Sequence, residues 1–198
     1  MKIIFATKNK GKIREIKKLF EDTCYDILSL NDAFDDIVIE ENADTFEGNA
    51  VIKATAIMNE AKLMVLADDS GLEVDYLNKE PGVYSARYLG EDTPQEEKNA
   101  YILKQLEGVE DSLRTARFVC AMACAMPGEE PFTVRGTIEG YIAKEQEGDN
   151  GFGYDPIFYV PEFDKTMAQL TMEEKNKISH RGQALRKMKE ELLKRGYI

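Results

Sequence analysis

The sequence predicts an α/β protein in which strand–helix units lead into an antiparallel pair of long strands. Three observations carry this. Residues 2–6 are an apolar strand-like run, and after a polar loop Ile13, Ile16, Leu19 and Phe20 recur at helical spacing. A second helical stretch puts Ala50, Ala54, Ile57 and Ala61 on one face, just before the apolar run Leu63–Ala67. Small residues on that face imply close packing on a sheet. Finally, the long apolar runs Arg117–Met126 and Phe132–Ile142 flank the turn Pro127-Gly128-Glu129-Glu130, as in an antiparallel pair.

Taken in order, the first strand meets the basic loop Thr7-Lys8-Asn9-Lys10-Gly11-Lys12 and then its helix. Tyr25–Leu30 is a second strand, and Asp35–Glu41 an acidic connection. The next helix is expected to start at Asp44, with Glu47 three residues on. The strand Leu63–Ala67 is expected to end in Asp68-Asp69-Ser70-Gly71, with Gly71–Asp75 opening another. Pro81–Tyr88 is a loop rich in aromatic residues and arginine. Thr93, Pro94 and Glu96 form a helix start, with Ala100, Leu103 and Leu106 inward and a stop at Gly108. After the strand pair come the glycine-rich loop 148–156 and the strand Ile157–Val160. Thr171 opens a short helical turn, and Ser179 caps a final helix carrying Leu185, Met188 and Leu192 inward. Residues 1–198 are expected to form one domain, or two lobes around one cleft, without repeats or linkers.

Composition removes several function classes. A formal charge of −11 argues against a general nucleic-acid binder, which needs a basic face. No apolar run approaches membrane-spanning length, and neither a secretory leader nor a membrane role is expected. Cys24, Cys120 and Cys124 lack a CxxC spacing and are expected as small core residues in a reducing cytoplasm. The single histidine, His180, excludes any scheme that needs a histidine cluster. Basic residues are nonetheless clumped at positions 8–18 and 175–195, which suits a small polyanion held with a divalent metal. Most of the C-terminal lysines, with Lys17 and Lys18, are simply a solvated helix face.

Four features are hard to explain as packing. Adjacent carboxylates at Asp68-Asp69 repel and cost desolvation unless a cation or donors compensate, although an Asx turn explains the pair equally well. Neighbours on a strand point to opposite sides, so the two carboxylates are expected to serve different purposes. The loop at 7–12 precedes a helix N-terminus, where backbone N–H groups and the helix dipole favour an anion. It is not a Walker A loop, because Lys12 is followed by Ile13. In Gly151-Phe152-Gly153-Tyr154-Asp155, the glycines permit close approach, Phe152 offers a stacking face and Asp155 offers acceptors; the plain alternative is a turn with Phe152 and Tyr154 in the core. Lys175 with Ser179-His180-Arg181 is the fourth, where His180 is either a packing residue or an anion contact. Acidic groups with basic loops suggest metal-assisted phosphoryl chemistry, and carboxylates without Cys or His partners suit Mg²⁺.

These stretches, with Thr45-Phe46…Asn49-Ala50…Lys53-Ala54, Pro81-Gly82-Val83-Tyr84-Ser85-Ala86-Arg87-Tyr88 and Ile178-Ser179-His180-Arg181-Gly182, stand in one order along the chain. Together they resemble the inosine triphosphate pyrophosphatases, or XTP/dITP diphosphatases, essentially end to end. One departure is Lys8, where members often carry Gly. The resemblance implies an elongated α/β protein with a long mixed twisted sheet flanked by helices, two lobes around a deep nucleotide-binding cleft, and a homodimer. It implies magnesium-dependent hydrolysis of non-standard purine nucleoside triphosphates to monophosphate and pyrophosphate, which cleanses the nucleotide pool. By motif, Glu40 and Asp69 would hold the metal, with Glu41 the alternative to Glu40, and Asp69 would also be the base that activates water. Thr7, Lys8, Asn9, Lys10, Gly11 and Lys12 would line the phosphate site. Ser70, Phe152, Gly153, Tyr154, Asp155, Lys175, His180 and Arg181 would contact the nucleotide, with Asp68 and Lys53 in support. A non-catalytic nucleotide-binding module, a pyrophosphatase of broader range and an enzyme of modified nucleic-acid bases are the rival expectations.

Overall fold

A computed structural model describes residues 2–34 and 37–198. Asp35 and Asp36 of the expected acidic connection therefore lie outside the described residues. The architecture is α/β, with a seven-stranded mixed sheet flanked by helices. In chain order the elements are β1 (Lys2–Phe5), α1 (Lys10–Leu19), β2 (Asp26–Ser29), α2 (Leu30–Ala33), α3 (Phe46–Ala61), β3 (Met64–Val74) and α4 (Gln95–Gln105). Then follow β4 (Thr115–Ala125), β5 (Phe132–Ile142), β6 (Phe158–Val160), β7 (Lys165–Thr166), α5 (Met172–Ile178) and α6 (His180–Lys194). The strand order is β2-β1-β3-β4-β5-β6-β7. β1 pairs in parallel with β2 and β3, whereas β6 pairs antiparallel with β5 and β7.

The chain divides into two compact units. The first comprises residues 1–69, 120–136 and 183–198; the second, residues 70–119 and 137–182. In the first unit one apolar layer joins Ile16 of α1 and its C-cap Phe20 to Leu66, Met122 and the buried Leu185, Met188 and Leu192 of α6. A second layer seats Ala50, Ala54 and Ile57 of α3 against Val65 and Ala67 of β3, so the small-residue face does press a helix onto the sheet. In the second unit Ile102 of α4 and its C-cap Leu106 pack with Leu72, Phe118, Phe158 and Ile157.

Several boundaries differ from expectation. β3 does not stop at the aspartates: one strand of 11 residues carries Asp68-Asp69-Ser70-Gly71 through its middle, so both the Asx turn and a separate strand at 71–75 are excluded. The α3 cap is Thr45, whose hydroxyl accepts from Gly48 N at 3.0 Å, and not Asp44. Thr93 does not cap α4; its hydroxyl donates to Leu89 O at 2.8 Å, and Pro94 takes the cap position. Ala100 is exposed, and the inward face of α4 instead carries Lys98, Asn99, Ile102 and Leu106. Two polar side chains are tolerated there because each is hydrogen-bonded, with Lys98 Nζ donating to Ala86 O at 2.6 Å. Residues 82–87 form a 3₁₀ turn and not an irregular loop. Cys120 and Cys124 are buried as expected, but Cys24 is exposed, because it lies on the connection between α1 and β2.

The second unit also contains an ion network across its sheet. Arg117 of β4 donates to Asp75 Oδ1 and Oδ2, both at 2.9 Å, and to Glu139 of β5. Thr115 adds a bond to Asp75 at 2.6 Å. The Arg117 guanidinium thereby holds the Asp75 carboxyl well below the usual carboxylate range, against a smaller opposing effect of burial. A carboxyl depressed in the folded state contributes stability that is present above its unfolded pKa of about 4 and is lost as pH falls through the lower folded value. Urea midpoints are therefore expected to drop as pH is lowered below about 4, and Arg117→Gln should flatten that dependence. An unchanged slope in the variant would show that Asp75 is not its source.

Candidate active site

The first unit builds an acidic and cationic cluster around the middle of β3. β1 pairs with β3 only over residues 64–66, so β3 runs on past the carboxyl end of β1. In parallel α/β sheets that end is where ligands bind. The strand's alternation then sorts the side chains. Leu66 faces the layer of α1 and α6, whereas Val65 and Ala67 face α3. Asp68 accordingly points with Leu66 and meets Lys12 of α1, Nζ to Oδ2 at 2.6 Å. Asp69 points with Ala67 and accepts from Asn49 Nδ2 of α3 at 3.0 Å. The pair does divide, as strand geometry requires.

Asp68 is a buried carboxylate, its side chain 2% exposed. Lys12 balances its charge, and Lys53 Nζ donates to its backbone carbonyl at 2.9 Å. The same ammonium pairs with Glu41 at 2.9 Å. Asn49 completes this clasp: its Oδ1 accepts from Ala43 N at 2.9 Å, which turns Nδ2 towards Asp69. Asn49 and Lys53, one turn apart on α3, thus tie the segment at 41–43 to β3 at Asp68-Asp69. Asp69 itself is half-buried, and Glu40 is exposed.

The loop ahead of α1 is shaped by its cap. Asn9 Oδ1 accepts from Gly11 N at 2.8 Å and from Lys12 N at 3.2 Å, and Thr7 Oγ1 accepts from Asn9 N. Two of the helix N–H groups expected to face an anion are therefore bonded to the cap. What the loop presents outward is charge, since Lys8 and Lys10 are exposed while Thr7 is buried.

The second unit holds the glycine-rich loop. Its aromatic residues separate: Tyr154 is buried in the core and donates its hydroxyl to Ser85 O at 2.8 Å, whereas Phe152 is 72% exposed. A turn with both rings in the core is therefore excluded. Lys175 Nζ pairs with Asp155 Oδ2 at 3.0 Å and donates to Asn150 O at 3.2 Å, and Asp155 also accepts from Phe152 N. Asp155 and Lys175 thus brace the loop. A Cβ at Gly151, whose φ is +96°, would run into both of their charged ends. His180 and Arg181 open α6, where the His180 ring stacks on Phe118 with centroids 5.1 Å apart and Ser179 caps Gly182 N at 3.0 Å. Ser70 is half-buried in β3.

A divalent metal can be weighed against these groups. Asp69, Glu40 and Glu41 offer only carboxylate oxygens, which are hard donors suited to Mg²⁺. Glu41 is paired with Lys53, whereas Glu40 is exposed. Among the described residues no three His, Cys, Asp or Glu side chains converge on one point. Magnesium does not need such a cage, because it commonly takes one or two carboxylates with phosphate oxygens and waters. The donor set fits.

Sequence reasoning gave no role to Asn49, Ser85, Lys98 or Asn99. A signal existed for the first, since Asn49 shares the buried small-residue face of α3 and is 1% exposed. A polar residue on such a stripe must have partners.

Fold and cluster together describe an α/β protein with a carboxylate and ammonium centre at the carboxyl end of parallel strands. The chain belongs to the Ham1 family, whose model matches residues 3–191. A dITP/XTP pyrophosphatase of Bacillus licheniformis is 55% identical over 186 residues, 94% of this chain and 95% of that protein. The protein of the same name from Bacillus subtilis is 52% identical over 185 residues, 93% of each chain. Among solved structures, the Ham1 protein of Staphylococcus aureus aligns with a TM-score of 0.92 at 43% identity, covering 98% of this chain and all of that one.

Proposed function

We propose that this chain is a nucleoside-triphosphate pyrophosphatase acting on non-standard purine nucleotides, those of inosine, deoxyinosine and xanthosine. The observation that carries the reading is the half-buried Asp69 carboxylate, fixed by Asn49 while its neighbour Asp68 is neutralised by Lys12 of the cationic loop. The relatives named dITP/XTP pyrophosphatase support it.

Asp69 takes a proton from a water that attacks the α-phosphorus. The bond from that phosphorus to the bridging oxygen breaks, and pyrophosphate leaves with the bonding pair. Lys8 and Lys10, with the remaining N–H donors of Lys12, neutralise charge as it develops on the leaving group. Asn49 Nδ2 holds Asp69 Oδ2 and so fixes the carboxylate that serves as the base. Asp69 and Glu40 would hold a divalent cation, Mg²⁺ in this reading, which would supply charge neutralisation at the phosphates and lower the pKa of water. For the base, Phe152 is the proposed stacking partner of the purine. His180 and Arg181 donate towards a 6-keto oxygen; adenine carries an amino group there, so donor would face donor.

In this reading the chain is a single domain that works in the cytoplasm as a homodimer. No helix among the described residues is long and apolar enough to cross a membrane. Release of pyrophosphate from a nucleotide panel tests the reading: inosine and xanthosine triphosphates should be consumed with magnesium and spared when it is chelated, and adenosine triphosphate rejected. Equal rates on all would favour a pyrophosphatase of broader range. Binding without release would favour a non-catalytic module.

A further inference from the structure

The glycine-rich loop is held in an unusual way. Phe152 is 72% exposed, a costly position for a phenyl ring, yet the loop around it is tied down by several hydrogen bonds. Asn150 N donates to Ala168 O, Phe152 N to Asp155, and the Tyr154 hydroxyl to Ser85 O. Between them Gly153 has no side chain and a φ of +65°, so nothing packs it in place. Behind it the loop borders an opening of about 500 Å³, lined by Gln95, Asn99 and Gln146 among others. A loop over an opening is fixed by hydrogen bonds or it is not fixed.

At Gly153 that bond comes from α4. Asn99 is 1% exposed, and its Nδ2 donates to Gly153 O and to Gln146 Oε1, both at 3.2 Å. Its Oδ1 accepts from Gln95 Nε2 at 3.0 Å. The Gly153 carbonyl, which can only accept, settles which way the amide faces: Nδ2 is directed at the loop and at Gln146, and Oδ1 is left to accept from Gln95. Nothing in the apolar pattern of α4 calls for this residue, since the helix already seats Ile102 and Leu106 in the core.

We infer that Asn99 is a positioning residue for base recognition: its side-chain amide, held by Gln95, pins Gly153 and thereby holds the Phe152 ring where the purine stacks. The inference rests on the proposed function above, in which Phe152 meets the base. It concerns the base alone; the residues proposed for the phosphates belong to other segments.

Asn99→Asp is the sharp test, because aspartate keeps the acceptor for Gln95 and loses both donors. With inosine triphosphate, KM is expected to rise about tenfold, which is about 1.4 kcal/mol of lost hydrogen bonding, with kcat within about threefold of wild type. Inorganic tripolyphosphate, which has no base, should inhibit variant and wild type with the same Ki. Gln95→Ala, a change at a half-buried residue that removes the bond to Asn99 Oδ1 and a contact with the Tyr154 hydroxyl on the same loop, should shift KM in the same direction by about threefold. If Asn99→Asp does not fold, Gln95→Ala decides alone by the same two readouts. An unchanged KM, or a Ki for tripolyphosphate that moves in step with KM, overturns the inference. Failure of the underlying reading looks different, since wild type itself would then not release pyrophosphate from inosine triphosphate.

Discussion

Asp69→Asn should lower kcat/KM on inosine triphosphate by about 10²–10³ while the protein stays folded. Asparagine keeps an oxygen that can accept from Asn49 Nδ2, so the hydrogen bond at 3.0 Å survives. What is lost is the negative charge that takes the water proton and helps to hold a cation. Asp69 is half-buried, so the change in stability should stay under about 1 kcal/mol. Asp68→Ala is the contrasting variant. It removes one member of a buried pair whose other member, Lys12, has a side chain 20% exposed. Breaking a buried pair costs about 3 kcal/mol or more, and the partial exposure of Lys12, which can turn to water, puts this case at the low end. In a chain of this size that is a melting temperature lower by roughly 6–12 °C. Activity assays and thermal melts on both variants separate the two roles. Should Asp68→Asn slow turnover as much as Asp69→Asn at unchanged stability, the division between them is wrong.

That division was legible in the sequence, but its setting was not. Two adjacent carboxylates on an extended segment must face opposite ways, and they do. The segment nevertheless looked like a strand end, because Asp-Asp-Ser-Gly has the composition of a turn. Composition misleads here since the tertiary partners, Lys12 from α1 and Asn49 from α3, lie 56 and 20 residues away. The same holds for α4. An apolar pattern finds Leu103 and Leu106, but it cannot find Lys98 and Asn99, whose burial depends on acceptors at Ala86, Gln146 and Gly153. The apolar skeleton was the easy part. Ile16, Phe20, Ala50, Ala54, Ile57, Leu185, Met188 and Leu192 all lie in the core because helical spacing alone decides their direction. Local capping was mixed. Thr171 with Glu174 forms the expected box, whereas Thr93 turns its hydroxyl back to Leu89, a choice made by the turn before it.

The other large effect is expected at Gly71, and it concerns stability. Gly71→Ala should destabilise the protein by about 3 kcal/mol, again roughly 6–12 °C in melting temperature. The glycine lies within β3, where its conformation would suit alanine, so backbone strain is not the cause. The cause is the 3₁₀ turn at 82–87, which lies directly against the strand. A Cβ at Gly71 would be 2.6 Å from Gly82 O and 2.8 Å from Ser85 Cβ, with Ser85 Oγ nearer still. None of these can swing aside. Ser85 Oγ accepts from Leu72 N at 2.9 Å and donates to Gly82 O at 2.6 Å, and Ser85 O accepts the Tyr154 hydroxyl. Moving the turn therefore breaks the bond that anchors the glycine-rich loop at Tyr154. The double variant Gly71→Ala/Ser85→Ala discriminates: removing Oγ relieves the nearest clash but leaves Gly82 O in place and deprives Leu72 N of its acceptor. Relief should be partial at best. Full restoration of wild-type stability by the second change would place the whole effect in the serine hydroxyl and none in the backbone of the turn.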